Sequence, residues 1–244
     1  MNATATDAAS RPDGTFRVLI WDLPVRVFHW ALAASFAGAY WLSETERLRN
    51  IHVMFGYTVL ALVAFRLTWG FVGTRYARFR TFLFSPREVL GYVRSLFRRS
   101  DPRYLGHNPA GSLAIWAILG LAALTGITGY ATYNEIGGDA VEEIHEVLAN
   151  SWLWVVGIHI GGVILSSLLH RENLVGAMIT GYKRAGADAG VRGTFAAIVG
   201  VGLLAGVLGY WALSLGGPAA PVAASAAGPE PMALAARGPI EDED

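Results

Sequence analysis

Residues 141–170 read VEEIHEVLANSWLWVVGIHIGGVILSSLLH. The stretch is long enough to cross a hydrocarbon layer, which takes about 20 apolar residues. It nevertheless holds three histidines, His145, His159 and His170. An ionisable ring in hydrocarbon is costly, so such residues are by default functional and have a partner. Partners for these rings must come from the rest of the chain.

The 244 residues are 53% hydrophobic and 16% charged, with a mean hydropathy of +0.40. That is too apolar for an ordinary soluble domain and places the chain in the membrane class. There is no cysteine, which excludes disulfides, thiolate-bound zinc, iron–sulfur clusters and covalent haem attachment through C-x-x-C-H. Histidine is left as the main metal ligand. The opening MNATATDAASRPDGTFR has no apolar core and does not read as a cleaved signal peptide, so insertion is expected to rely on the first span.

Five apolar runs stand out: Val25 to Leu42, Ile51 to Val72, Ala110 to Ala131, the stretch quoted above, and Thr194 to Leu215. Between the second and third lies a loop carrying Arg75, Arg78, Arg80, Arg87, Arg94, Arg98, Arg99 and Arg103 against Glu88 and Asp101. The opposite connections hold Glu44 and Glu46 balanced by Arg47 and Arg49, then Glu135, Asp139, Glu142, Glu143 and Glu146 with no nearby cation. The positive-inside rule therefore predicts a cytoplasmic N-terminus and a cytoplasmic Arg-rich loop in a multi-pass membrane protein. An odd number of spans sends the C-terminus to the periplasm. Residues 1–16 and the Ala/Pro-rich acidic tail, residues 218–244, are expected to stay disordered. The expected units between them are a four-helix membrane domain, 17–184, and an additional transmembrane helix, 185–217.

At 100° per residue, His145 and His159 share a helix face roughly 21 Å apart along the axis. His170 falls near the same stripe but about 37 Å from His145, at or beyond the cytoplasmic interface. His52 opens the second span on the outer side, level with His145. His29 lies about 13 residues before the outer end of the first span, roughly 20 Å deep, which matches His159. Two histidine pairs at two depths are what a helix bundle needs to hold two bis-imidazole haems in its core. Zinc fits less well, since it wants a third or fourth ligand at each level, and the fragment HEVLA has Ala149 where a zincin motif needs histidine. His107 and His170 read as interfacial residues. Gly56, Gly161 and Gly162 lie near the ligands, where a missing side chain admits a flat macrocycle or a close neighbouring helix. Arg26 and Arg66 stand near the inner pair, where a guanidinium can pair with haem propionates; for Arg26, snorkelling to the headgroups is an equal alternative.

These residues resemble the cytochrome b561 family of bacteria, in the branch that includes the b-type cytochrome subunit of nickel–iron hydrogenases. The matching motifs are WDLPVRVFHW (Trp21 to Trp30), RLTWGFVG (Arg66 to Gly73), SPREVLGY (Ser85 to Tyr92), GHNPAG (Gly106 to Gly111), His145-Glu146, and His159 with the HRENL of His170 to Leu174. The resemblance spans about Arg17 to Arg184. It implies an all-α membrane cytochrome whose four-helix bundle holds two non-covalent haems b, with His29, His52, His145 and His159 as iron ligands. It further implies a place in the bacterial inner membrane and electron exchange between a membrane quinone and a periplasmic partner, a c-type cytochrome or a Ni/Fe hydrogenase; nucleic acid is not among the expected partners. The fifth span and the tail depart from the usual pattern.

No catalytic side chain is singled out, and Asp22, Tyr104 and His107 are the candidates to handle quinone protons at the inner face. Two other function classes compete. A superoxide:quinone oxidoreductase needs a cationic funnel outside, whereas the outer loops are acidic. A haem-free, proton-coupled transporter would use the histidines as a relay, and an absorption spectrum separates it from any cytochrome.

Overall fold

The computed structural model describes residues 15–98 and 104–216. The tail and the opening residues 1–14 lie outside the described residues, as do Arg99, Asp101 and Arg103.

Five long helices form on the five apolar runs: α1 (Leu23–Trp41), α2 (Arg49–Val72), α4 (Pro109–Tyr133), α5 (Gly138–His170) and α7 (Thr194–Gly216). Two shorter ones, α3 (Pro86–Arg98) and α6 (Leu174–Thr180), lie in the connections. The starts are written in the sequence. Asp22 caps α1, its side chain accepting from Val25 N, with Pro24 in the first turn. Asn108 does the same for α4 through Gly111 N, ahead of Pro109. Such side-chain acceptors satisfy amides that have no partner inside the helix, and proline at the start has no amide to lose.

The chain is an all-α membrane protein. Four of the described helical segments are long and apolar enough to cross a bilayer: Glu46–Val72, Pro109–Tyr133, Gly138–His170 and Thr194–Gly216. The remaining long helix, α1, has 19 residues, but Arg26 and His29 in its first two turns make it the more polar one. Its place is set by packing: α2 and α7 both lie against it, α2 continues onto α4, and α4 runs alongside α5. The core between them is built from Phe28, Leu32 and Phe36 of α1, Val59, Leu62 and Val63 of α2, Leu119 and Ala122 of α4, and Trp152 of α5. At 33 residues, α5 is about 50 Å long and overshoots a hydrocarbon core of about 30 Å. Only Trp152 among its residues is buried, and outward-facing Trp154, Ile158 and Leu168 suit a lipid surface.

One end of the bundle carries a feature that hydropathy does not announce, a two-stranded antiparallel sheet. Strand β1 (Phe16–Leu19) pairs with β2 (Tyr182–Ala185), with Arg17 opposite Arg184 and Val18 opposite Lys183. The ribbon ties the segment just before α1 to the segment just after α6. Gly181, at the turn into β2, has φ +88°, and its carbonyl accepts from Ile20 N and Trp21 N at 2.9 and 3.0 Å. A Cβ there would come within 2.6 Å of the Trp21 carbonyl oxygen, so both conformation and space require glycine. On the same end, Tyr76 of the Arg-rich loop donates to the Ala189 carbonyl at 3.0 Å.

Candidate functional site

His52 of α2 and His145 of α5 meet as the depth argument expects. Their ring centroids are 6.3 Å apart with planes at 77°. A ring centroid lies about 1.1 Å from its nitrogen and a metal about 2.0 Å beyond that, so two imidazoles on opposite sides of one metal ion have centroids about 6 Å apart. The other nitrogens are anchored. His52 Nδ1 donates to the Ala39 carbonyl at 2.8 Å, and His145 Nδ1 to the Thr125 carbonyl at 3.0 Å. Each bond places the proton on Nδ1 and leaves Nε2 with a free lone pair, the tautomer a ligating imidazole needs. Gly129 makes room for this arrangement, since a Cβ would stand 2.8 Å from His145 Cε1.

His29 of α1 and His159 of α5 are the second pair that the sequence places at one depth. The His29 ring packs edge-on against Trp30 at 4.9 Å, and its Nδ1 is buried without a hydrogen-bond partner among the described residues. Between the two levels Trp152 packs against Phe36, ring centroids 4.3 Å apart. Trp152 is seven residues from each α5 histidine, so it shares their stripe and separates the tiers. Cβ atoms added at Gly56, Gly161 or Gly162 would meet nothing within 4 Å, so no neighbouring side chain accounts for these glycines.

The arginines divide. Arg66 is 3% exposed, lies over the rings of Phe79 and Phe82, and its Nη1 is buried without a hydrogen-bond partner among the described residues. Arg26 donates from Nη1 to the Ile179 carbonyl at 2.8 Å, while its Nε is buried without a hydrogen-bond partner among the described residues. A two-histidine site, in a bundle that also buries a guanidinium nitrogen without a partner among the described residues, fits a haem with its carboxylates, and fits a bare metal ion poorly. Among the described residues no three His, Cys, Asp or Glu side chains converge on one point.

The three candidates for proton handling fare differently. Asp22 is fully buried, and besides capping α1 it accepts from Trp69 Nε1 at 3.0 Å and from Thr74 Oγ1 at 2.7 Å. It clamps α1, α2 and the following loop together. Tyr104 is packed edge-on between Phe84 and Tyr92. His107 is wedged between the rings of Trp21 and Phe82, at 4.6 and 4.7 Å. Burial first, then the neighbouring charges of Arg66 and Lys183, push its imidazole down to about 3. The ring is neutral in the folded protein down to that pH, whereas the unfolded chain takes up a proton below about 6.5. The unfolded state thus binds more protons between about 3 and 6.5, and stability falls as pH drops through that window, by up to about 1.4 kcal/mol per unit. Thermal midpoints measured from pH 7 to 4 should decline less steeply in His107→Phe than in the unaltered protein. His170 donates to the Ser166 carbonyl at 2.7 Å within its own helix.

Comparison with known proteins gives one consistent result. The model of the family described as prokaryotic cytochrome b561 matches residues 20–181. A probable Ni/Fe-hydrogenase B-type cytochrome subunit of Rhizobium leguminosarum bv. viciae is 26% identical over 210 residues, covering 67% of this chain and 87% of the relative. The protein of the same description from Rhodobacter capsulatus is 25% identical over 213 residues, 68% and 81% of the two chains. A probable Ni/Fe-hydrogenase 1 B-type cytochrome subunit of Escherichia coli strain K12 is 22% identical over 227 residues, 71% and 93%. No solved structure matches the chain.

Proposed function

The chain belongs to the prokaryotic cytochrome b561 family, and from that membership we propose that it is a two-haem b-type cytochrome carrying electrons across the bacterial inner membrane, between a quinone and a redox partner in the periplasm. The family implies haem b. The observation that carries the two-centre reading is the His52–His145 pair, with ring centroids 6.3 Å apart and both Nδ1 atoms tied to backbone carbonyls. His29 and His159 would hold the second haem, with Arg26 and Arg66 as donors to its propionates. Bound haem supplies one-electron exchange without an open coordination position. The protein's own part is to hold the four rings, keep the tiers apart with Trp152 and Phe36, and exclude water with the α1, α2 and α4 core. A purified preparation is expected to show a reduced b-type spectrum; a colourless protein would favour the transporter class instead.

The proposed orientation has the sheet and the Arg-rich loop in the cytoplasm. Arg17, Lys183 and Arg184 of the ribbon add to the positive charge at that end. A reporter active only in the periplasm should work when fused after Leu215 and fail when inserted near Arg98. The reverse pattern would swap which haem meets which partner.

Two partners compete at the outer end, a hydrogenase of the kind named for the relatives and a soluble c-type cytochrome. Glu135, Asp139, Glu142, Glu143 and Glu146 are all exposed beside His145. Charge at an electron exit steers an oppositely charged carrier and raises its association rate by roughly 10- to 1000-fold at low salt. Docking of a basic cytochrome therefore predicts electron exchange that slows steeply between about 10 and 150 mM salt, as the screening length falls from about 30 to 8 Å. A rate that is flat across that range, and unchanged in Glu142→Gln with Glu143→Gln, would point to a permanently bound hydrogenase with a larger, more apolar interface.

A further inference from the structure

The connection between α2 and α4 holds a helix that neither crosses a membrane nor belongs to the histidine core. Helix α3 has 13 residues, about 20 Å, too short for a hydrocarbon core of about 30 Å. Its start is fixed locally. Ser85 N donates to Glu88 Oε2 at 2.7 Å and Glu88 N donates back to Ser85 Oγ at 3.3 Å, a capping box followed by Pro86. Glu88, the only acid in the helix sequence, is engaged by that cap.

The faces of α3 differ in chemistry. Tyr92 is 5% exposed and packs edge-on to Tyr104 at 5.7 Å, which sets the side held against the protein, where α3 meets α4. At 100° per residue, Val93 and Leu90 lie about 100° and 160° around the helix from Tyr92, and Arg94 and Arg87 about 200° and 220°. Val93 and Leu90 are exposed, at 37% and 50%, and so are both arginines. An apolar strip therefore stands between the protein side and a pair of cations. Helices α2 and α4, on either side in the chain, are each long and apolar enough to cross a bilayer. The connections joining α3 to them are residues 73–85 and 99–108, which hold it near the surface where they emerge.

We propose that α3 lies in the membrane interface, with Leu90 and Val93 in the outer acyl region and Arg87 and Arg94 on the phosphates of anionic phospholipid. Amphipathic helices of this kind bury their apolar face about 5–10 Å into the headgroup boundary, and a guanidinium matches phosphate geometry. Arg75 and Arg80, exposed in the same connection, add to the charge facing the headgroups. Lipid is the occupant because the tether keeps the strip at the bilayer that α2 and α4 cross. Only the membrane spans are needed for this, not the haem reading.

The chain has no cysteine, so one introduced cysteine in the full-length protein is a unique labelling site. Spin labels on Leu90→Cys, Val93→Cys and Gly91→Cys, in vesicles of phosphatidylcholine with phosphatidylglycerol, report their surroundings through relaxation by oxygen, which partitions into lipid, and by a water-soluble nickel chelate. Gly91 lies about 260° from Tyr92, is exposed, and a Cβ there meets nothing within 4 Å, so its label is the aqueous reference. Labels at positions 90 and 93 should relax strongly with oxygen and weakly with nickel, and the label at 91 the reverse. Nickel access at all three positions would place the helix in water. Protection of positions 90 and 93 from both agents would mean that protein covers the strip, a second copy of this chain included. Either result overturns the proposal. Charge selectivity is read with a fluorophore on Val93→Cys, quenched by nitroxide-labelled phosphatidylglycerol or phosphatidylcholine at equal mole fraction. Phosphatidylglycerol should quench more strongly. One arginine at an anionic surface shifts binding by about fivefold, so adding Arg87→Gln and Arg94→Gln should bring the two lipids close to parity and leave quenching by phosphatidylcholine unchanged. Equal quenching with both arginines in place, or a preference that survives their replacement, would refute their role.

Discussion

His159→Ala should purify with one haem where two are expected of the unaltered protein, and the haem that remains should be the one between His52 and His145. A haem held by two axial histidines loses half its protein ligation when one is removed, and no other described histidine stands at the level of His159 to replace it. His145→Ala should give the mirror result, keeping the inner haem. Gly129→Leu should mimic it without touching a ligand, because a Cβ alone would already stand 2.8 Å from the His145 ring. The pyridine haemochrome content per polypeptide reads all three variants. His170→Ala should keep both haems, since His170 is the last residue of α5 and lies about 17 Å along the axis from His159. If His170→Ala lost a haem while His159→Ala kept both, the depth assignment would be wrong.

Asp22→Ala should be the most destabilising single change outside the ligands. It removes the cap of α1 and leaves the buried Trp69 indole without its acceptor and Thr74 without its partner. A lost cap costs about 0.5–2 kcal/mol, and each buried donor left unsatisfied costs about 1–3 kcal/mol. The sum is several kcal/mol before relaxation, a large fraction of the stability of a typical domain. Thermal unfolding in detergent, followed by loss of the haem absorbance, should shift well below the unaltered protein. Asp22→Asn should fall between them, since one amide oxygen still caps the helix but the amide NH2 cannot accept from Trp69. A midpoint unchanged in Asp22→Ala would mean that the three bonds contribute nothing net.

The membrane helices were legible because hydropathy is a long-range average, and twenty consecutive apolar residues leave little choice. One histidine pair was legible because helical rise turns sequence position into depth, and the rings of His52 and His145 do face each other. What composition could not show was the polar end. β1 and β2 are four residues each and separated by more than 160 positions, so no local periodicity links them. Asp22 looked like an acid available for proton transfer, and only the folded chain reveals that Trp69 and Thr74 occupy it; the W-D-L-P sequence does carry the cap signal, an aspartate two residues before proline. Lys183 was hidden for a similar reason. In sequence it is one cation in a basic stretch, and its burial follows from strand alternation within a ribbon that hydropathy does not detect.

The central claim is that four histidines hold two haems b in separate tiers. The most direct measurement combines haem b per polypeptide in the purified, unaltered protein with low-temperature electron paramagnetic resonance of its oxidised form. The account predicts two haems per chain, both low-spin and both ligated by two imidazoles. A single haem per chain, or a high-spin signal from an iron with an open position, would contradict it.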